Sequence, residues 1–295
     1  MSTKVASFTL PFGRVIQYGI TEPSSASSSI AEGSTIILSN SLCSTFASWD
    51  HVVPVLASKG FRVLRYNQPG HGGSGVAEDL SSTTFDSLAD DVRQLLAHLG
   101  ISKLFAWIGV SMGAATSIVF AARYPGIVAR LIPCDTISCS PANAGTADVF
   151  APRVASAREA GNMDAIVEGS LGRWFGGAWM GDHPAETARM RQLMRETSIA
   201  GFETCCAALS SKSFDLRPLL EDAGKGVERA LLLVGEKDAN LPETMEELRQ
   251  GIERGAKNSN PSASVELKVI KGAGHVCYVD GFDQFCKVIT EYLAE

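Results

Sequence analysis

A serine at position 111 lies in the pentapeptide GVSMG, residues 109–113, which has the pattern GxSxG. The motif follows the apolar run Leu104 to Ile108 and opens a second apolar stretch, Ala114 to Arg123. A strand, a sharp turn and a helix in this order raise a serine hydroxyl above the edge of a sheet. They also place the hydroxyl near a helix N-terminus, where developing negative charge is stabilised. The sequence therefore predicts that Ser111 is a nucleophile for acyl transfer.

A serine hydroxyl needs a base that accepts its proton. His275 lies in the loop GAGH, residues 272–275, between the last apolar run and the last helical pattern. In the chain order expected after a GxSxG strand–helix unit, the histidine comes last. His275 is therefore the predicted base. We interpret the remaining histidines as structural or solvated residues: His51, His71, His98 and His183.

The imidazole of the base needs an acid that orients it through its second nitrogen. Asp238 follows the apolar run Ala230 to Val234 by a few residues, which gives the chain order serine, acid, histidine. Asp135, at the end of the run Val128 to Cys134, is the alternative acid. Glu236 is close to Asp238 in the chain and is expected to point elsewhere.

Acyl transfer also needs two backbone N–H donors for the oxyanion. The residue after the nucleophile, Met112, is expected to supply one of them. The loop after the third strand, residues 39–43, is expected to supply the other, and Leu42 is the predicted donor.

Short apolar runs alternate with longer amphipathic segments along most of the chain. Three of these runs are described above, and the other three are Thr35 to Leu38, Phe61 to Tyr66 and Val265 to Ile270. Such near-continuous apolar runs are expected for a parallel sheet covered on both faces. From Thr136 to Gly226 no strand is evident and helical patterns dominate. The prediction is an α/β core over residues 1–135 and 227–295, with a helical cap over 136–226 that covers the carboxyl edge of the sheet.

Composition excludes several functional classes. The 295 residues carry a net charge of −6 without a run of lysine or arginine, so neither nucleic acid nor a membrane is an expected partner. Seven cysteines with irregular spacing indicate neither a disulfide framework nor a metal site. We therefore expect no metal and no cofactor, a cytoplasmic location and a small-molecule substrate. A homodimer is one oligomeric state compatible with the sequence.

Several stretches together resemble the α/β-hydrolase superfamily and, within it, the 3-oxoadipate enol-lactonase group. They are LSNSLCSTFASWD, RVLRYNQPGHGGSG, IGVSMGAATS, GRWFGGAW, GFETCCAALSSKSFDLR, LLLVGEKD and GAGH. The resemblance implies the α/β-hydrolase fold, a mostly parallel doubly wound sheet with an inserted helical cap. It also implies a serine ester or lactone hydrolase without metal or organic cofactor, with catalytic roles on Ser111, Asp238 and His275. Trp174 in the cap is implied to line the pocket.

This chain departs from the group at several positions. Cys43 replaces a glycine of the oxyanion loop and is expected near the pocket, and residues 257–264 are expected to form an added surface loop. No arginine pair stands out in the cap for a dicarboxylate lactone, although Arg173 and Arg189 are candidates. The aromatic residues of the cap favour a small, apolar substrate.

Four functional interpretations are compatible with this pattern. Hydrolysis of an ester or lactone is the predicted reaction. A lactone-forming cyclase or acyltransferase would use the same acyl-enzyme and differ in its second step. A C–C hydrolase or perhydrolase, and a non-catalytic ligand receptor, are the remaining alternatives.

Overall fold

A single eight-stranded sheet forms the centre of the protein, in the order β1-β2-β4-β3-β5-β6-β7-β8. The computed structural model describes residues 2–23 and 34–295. β1 pairs antiparallel with β2, β2 pairs antiparallel with β4, and all later pairs are parallel. The strands are β1 (Thr3–Thr9), β2 (Val15–Thr21), β3 (Thr35–Ser39), β4 (Arg62–Tyr66), β5 (Leu104–Val110), β6 (Val128–Cys134), β7 (Arg229–Gly235) and β8 (Glu266–Ile270).

Helices connect the parallel strands and cover the sheet. The helices of the core are α1 (Val52–Ser58), α2 (Phe85–His98) and α3 (Met112–Arg123). Those of the insertion and the end of the chain are α4 (Pro141–Ala144), α5 (Ala151–Ala160), α6 (Asp164–Asp182), α7 (Pro184–Arg195), α8 (Ile199–Ser210), α9 (Leu220–Lys225), α10 (Leu241–Ser259), α11 (Cys277–Asp280) and α12 (Phe282–Ala294). Short 3₁₀ turns lie at Phe46–Trp49, Leu80–Ser82 and Arg217–Leu219.

The strand order contains one reversal that matters for the site. The chain passes from β3 to β4 in one direction and from β4 to β5 in the other, across β3. Right-handed crossovers therefore place α1 and α2 on opposite faces of the sheet. The contacts agree, because α1 packs against α12 while α2 and α9 both pack against α3. A crevice opens where the connections diverge, at the carboxyl ends of β3 and β5.

Between β6 and β7 the chain forms a series of helices, α4 to α9, and no strand of the sheet lies in this part of the described chain. α6 is interrupted at Gly176, whose φ of 72° and ψ of 154° break the helix. The cap reaches the core at Trp174, whose carbonyl accepts the His275 N–H at 3.3 Å. The inserted helices therefore cover the carboxyl edge of the sheet.

The fold class predicted from the sequence is confirmed. The six apolar runs identified in the sequence overlap the strands β3 to β8. One local prediction is wrong: α10 continues to Ser259, so residues 257–259 are helical and only residues 260–264 form the expected loop. Two features favour the longer helix. Ala256 is a strong helix former, and Lys257 forms an ion pair with Glu253 one turn earlier. The segment Glu22 to Gly33 is rich in serine and alanine and has no apolar period, which predicts a loop between strands, but most of it lies outside the described residues. No helix in the described part of the chain is long and apolar enough to cross a membrane.

Candidate active site

Ser111 occupies the sharp turn between β5 and α3. Its φ of 54° and ψ of −117° lie outside the regions that side-chain-bearing residues usually adopt. The Ser111 N–H donates to the carbonyl of Cys134 at 2.9 Å, and the Ser111 carbonyl accepts the N–H of Ala115 at 2.9 Å. Both hydrogen bonds hold the strained turn in place, so the side chain faces a cavity rather than the sheet.

The two glycines of the motif allow this turn to pass close to β3. A Cβ at Gly113 would lie 2.6 Å from the backbone of Ser39, and one at Gly109 would lie 2.6 Å from the Gly113 carbonyl. The Ser39 hydroxyl donates to that carbonyl at 3.1 Å and accepts the indole N–H of Trp107 at 2.7 Å. The glycines therefore serve close backbone packing beneath Ser111.

His275 and Asp238 form the shortest link between two of the predicted site residues. The Nδ1 atom of His275 lies 2.6 Å from Oδ2 of Asp238. Both side chains are largely buried, at 14% and 10% exposure. The loops that carry them are joined, since the Lys237 N–H donates to the carbonyl of Ala273 at 2.8 Å. With Nδ1 bound to the carboxylate, Nε2 of His275 is the atom left for a serine proton.

Glu236 does point elsewhere. One of its carboxylate oxygens lies 2.8 Å from the Lys271 ammonium, and the other accepts the Gly272 N–H at 2.9 Å. These contacts lower the pKa of Glu236, the hydrogen bond to Lys271 being the largest cause. Glu236 therefore closes the turn outside the cavity.

The predicted oxyanion donors both border the cavity. Among residues 2–23 and 34–295, neither the Leu42 N–H nor the Met112 N–H has a protein acceptor. Met112 is the first residue of α3, where backbone N–H groups have no partner within the helix. Two unpaired donors beside Ser111 are what an oxyanion requires.

Cys43 shapes the loop that carries Leu42. Its φ is 65°, a left-handed conformation that explains why a glycine is favoured at this position. The side chain is 1% exposed, and burial raises the pKa of the thiol to about 12, so the thiol is neutral. Cys43 lines the cavity as a small apolar group.

His71 holds this loop, a role the sequence analysis missed. The Cys43 N–H donates to Nε2 of His71 at 2.9 Å, and Nδ1–H of His71 donates to the carbonyl of Pro69 at 2.9 Å. The imidazole is fully buried, and burial lowers its pKa to about 4. A neutral ring is required, because only an unprotonated Nε2 can accept the Cys43 N–H. The run GHGG at residues 70–73 was the available signal.

One cavity of about 350 Å³ is lined by Ser111, His275, Asp238 and both oxyanion donors. Its volume is within the range of small-molecule sites. Trp174 forms part of its wall, and the centroid of its indole ring lies 5.8 Å from the centroid of the His275 ring. Apolar neighbours include Ile137, Phe150 and Leu209. A larger and more open groove, lined by His51 and Phe282 among others, contains none of the predicted site residues.

Two arginines complete the wall, and one of them was not predicted. Arg153 and Arg173 line both the cavity and an adjoining outer groove, so they stand between the site and solvent. Arg153 donates to the Ser170 hydroxyl at 2.9 Å. In the described part of the chain no carboxylate pairs with either arginine. Partial burial and the charge of Arg153 lower the pKa of Arg173.

Arg189, the other arginine considered from the sequence, does not line the cavity. It forms an ion pair with Glu186 at 2.6 Å and donates to the carbonyl of Ala47 at 3.0 Å. This arginine joins α7 to the 3₁₀ turn after β3. Its packing explains why it is unavailable to a ligand.

Asp135, the alternative acid, is completely buried at the end of β6, with a φ of 47°. Its Oδ1 accepts the Gly235 N–H at 2.7 Å, and no hydrogen bond joins it to His275. Asp238, rather than Asp135, is the carboxylate bound to the imidazole.

The described residues contain no cluster of side chains suited to a metal ion, and all seven cysteines are free and buried.

Comparisons with known proteins agree with this architecture. Residues 34–282 match the family model for the alpha/beta hydrolase fold. The chain is 32% identical over 179 residues to 3-oxoadipate enol-lactonase 1 of Acinetobacter baylyi, an alignment that spans 59% of this chain and 62% of that protein. It is 29% identical over 102 residues to epoxide hydrolase A of Mycobacterium tuberculosis, across 33% and 31% of the two chains.

Solved structures show the same likeness over nearly the whole chain. The enol-lactonase from Burkholderia xenovorans superposes with a TM-score of 0.81 at 29% identity, covering 98% of this chain and 100% of that one. A thermophilic esterase from Thermogutta terrifontis, at 23% identity, shares the fold with a TM-score of 0.78, covering 100% and 98%. The chain belongs to the α/β-hydrolase fold family.

Proposed function

We propose that this protein is a serine hydrolase that cleaves a small carboxylic ester or lactone. The observation that carries the proposal is the convergence of Ser111, the His275–Asp238 pair and two unpaired N–H donors on one cavity. The similarity to enol-lactonases supports the same reaction class.

In the proposed mechanism His275 accepts the Ser111 proton while the serine oxygen attacks the carbonyl carbon of the substrate. The N–H groups of Leu42 and Met112 stabilise the negative charge on the carbonyl oxygen. The alkoxy oxygen leaves with a proton from His275, and an acyl-enzyme remains on Ser111. Water then loses a proton to His275 and attacks the acyl carbon. The bond from that carbon to the Ser111 oxygen breaks, the serine oxygen takes the proton back from His275, and the acid is released. Asp238 orients the imidazole and stabilises its charged form.

The substrate we propose carries an anionic group as well as an apolar part. Arg153 and Arg173 present two positive charges at the mouth of the cavity, and no carboxylate among residues 2–23 and 34–295 neutralises them. A carboxylate would match the fork of a guanidinium group. The apolar wall around Trp174 would hold the remainder of a small molecule.

Hydrolysis of nitrophenyl esters and small lactones, with products identified by mass, tests the proposed reaction. We expect turnover by the wild type and by the control Ser58→Ala, which alters an exposed serine on α1. Ser111→Ala should lose turnover by a factor of about 10³ or more. Turnover that survives in Ser111→Ala would reject the serine mechanism. Formation of a lactone from a hydroxy ester would instead identify a cyclase or acyltransferase.

A matched pair of substrates tests the anionic part. Arg173→Met and Arg153→Met should each raise KM for a carboxylated ester by about tenfold or more, because a charge-assisted hydrogen bond contributes about 1.5–3 kcal/mol. KM for the uncharged ester of the same length should change less than about twofold. Arg195→Met, at an exposed ion pair with Asp164, is the control. Equal losses on both substrates would mean that the arginines support the cap rather than bind the substrate.

A further inference from the structure

Asp135 lies where the loops of the three proposed catalytic residues meet. Its Oδ1 accepts the N–H of Gly235, the last residue of β7, and the Gly235 carbonyl in turn accepts the Asp238 N–H at 3.2 Å. The residue before it, Cys134, accepts the Ser111 N–H through its carbonyl. Asp135 therefore links the end of β6, which holds the nucleophile turn, to the end of β7, which holds the acid.

The third loop reaches Asp135 through Cys277. This residue follows His275 by two positions and begins α11, and its thiol lies against the Asp135 carboxyl group. The Cys134 thiol lies beside Cys277 in turn. All three side chains are completely buried. One carboxyl group thus contacts both the acid loop and the histidine loop from beneath the cavity.

The surroundings of this carboxyl group are unsuited to a negative charge. Among the described residues no arginine, lysine or histidine pairs with Asp135, and its Oδ2 is buried without a hydrogen-bond partner. The ionisable groups that face it are the thiols of Cys134 and Cys277 and the carboxylate of Asp238. Burial is the largest cause that raises the pKa of Asp135, and the proximity of Cys277 and Asp238 raises it further.

We propose that Asp135 is a positioning residue that works as a neutral carboxylic acid, tying the ends of β6 and β7 to the loop of His275. In this form it accepts the Gly235 N–H without placing a second negative charge beside Asp238. Asp238 then remains the one carboxylate bound to the imidazole. This inference rests on the proposed function, in which Asp238 and His275 activate Ser111.

The same substitution at the two aspartates should have opposite consequences. Asparagine resembles a protonated aspartic acid in shape and retains an oxygen that can accept the Gly235 N–H. We expect Asp135→Asn to keep kcat within about threefold of the wild type, whereas Asp238→Asn loses most of it. Asp135→Ala leaves the Gly235 N–H unpaired and frees the loops, so kcat should fall about tenfold or more with KM within about twofold.

Two results would overturn the proposal. A loss in Asp135→Asn as large as in Asp238→Asn would mean that Asp135 must be ionised. Normal kcat in Asp135→Ala would mean that it positions nothing. Thermal unfolding of each variant shows whether a loss of kcat reflects a loss of folded protein.

A measurement on the wild type keeps the proposal testable if Asp135→Ala does not fold. Carbon-13 NMR of protein labelled at the aspartate carboxyl carbon should contain a signal, absent from Asp135→Asn, at the position of a protonated carboxyl group at pH 7. A signal at the ionised position would reject the neutral form. This readout does not depend on turnover, so it stands apart from the Ser111→Ala test, whose failure would reject the proposed function itself.

Discussion

Replacing His71 by glutamine should remove a pH-dependent loss of stability. In the folded protein burial lowers the pKa of His71 from an ordinary value of 6.5 to about 4. Below pH 6.5 the unfolded chain binds a proton at this residue while the folded protein does not. Stability is therefore complete above pH 6.5 and falls as the pH decreases toward 4.

The magnitude follows from the two pKa values. Each pH unit between them costs about 1.4 kcal/mol, so the free energy of unfolding should fall by about 2.5 kcal/mol between pH 7.5 and 4.5 through His71 alone. Burial also raises the pKa values of Asp91 and Asp280, each to about 6, and these groups act with the opposite sign. They are present in both proteins and cancel when His71→Gln is compared with the wild type.

Guanidinium chloride unfolding at several pH values between 4.5 and 7.5 is the assay. The difference in unfolding free energy between wild type and His71→Gln should change by about 2.5 kcal/mol over this range. His98→Gln, at an exposed position on α2, is the matched control and should leave the pH dependence of the wild type intact. Parallel curves for wild type and His71→Gln would refute a neutral, buried His71 that accepts the Cys43 N–H.

Two further predictions concern the turn and the acid. Gly113→Ala should destabilise the protein by about 1–3 kcal/mol, because the added Cβ meets the backbone of Ser39. Gly169 lies on α6 with open space around it, so Gly169→Ala should be neutral or stabilise the protein by up to about 1 kcal/mol. Chemical denaturation measures both, and equal effects would contradict the close packing of β3 and α3. Asp238→Asn should lower kcat by about 10⁴, as expected for a triad acid, while Glu236→Gln changes it less than about twofold. Ester hydrolysis kinetics measure both, and a damaging Glu236→Gln would show that the acid has been misassigned.

The sequence predicted the parts of the site that depend on local pattern. Ser111 follows a buried strand within GxSxG, and its neighbours must be small because the turn passes against β3. Asp238 and His275 each follow a strand, so their chain order was sufficient to place them at one edge of the sheet. The same reasoning identified the fold class, because near-continuous apolar runs are typical of buried parallel strands.

The parts it missed depend on contacts between distant segments. The His71 ring acts through the Cys43 backbone, 28 residues earlier, and no spacing rule joins them. Arg153 and Arg173 lie on different cap helices, α5 and α6, and become a pair only when these helices pack together. The role of Asp135 arises likewise from the meeting of three loops, so its position after β6 alone suggested an alternative acid.

The most direct test of the central claim is labelling of Ser111 by a fluorophosphonate, followed by intact mass and peptide mapping. A hydroxyl activated by His275 should react once per chain and carry the label on the peptide that contains Ser111. Ser111→Ala should not be labelled, and His275→Ala should react far more slowly. Label on another residue, or an unchanged rate in His275→Ala, would contradict the proposed activation of Ser111 by His275.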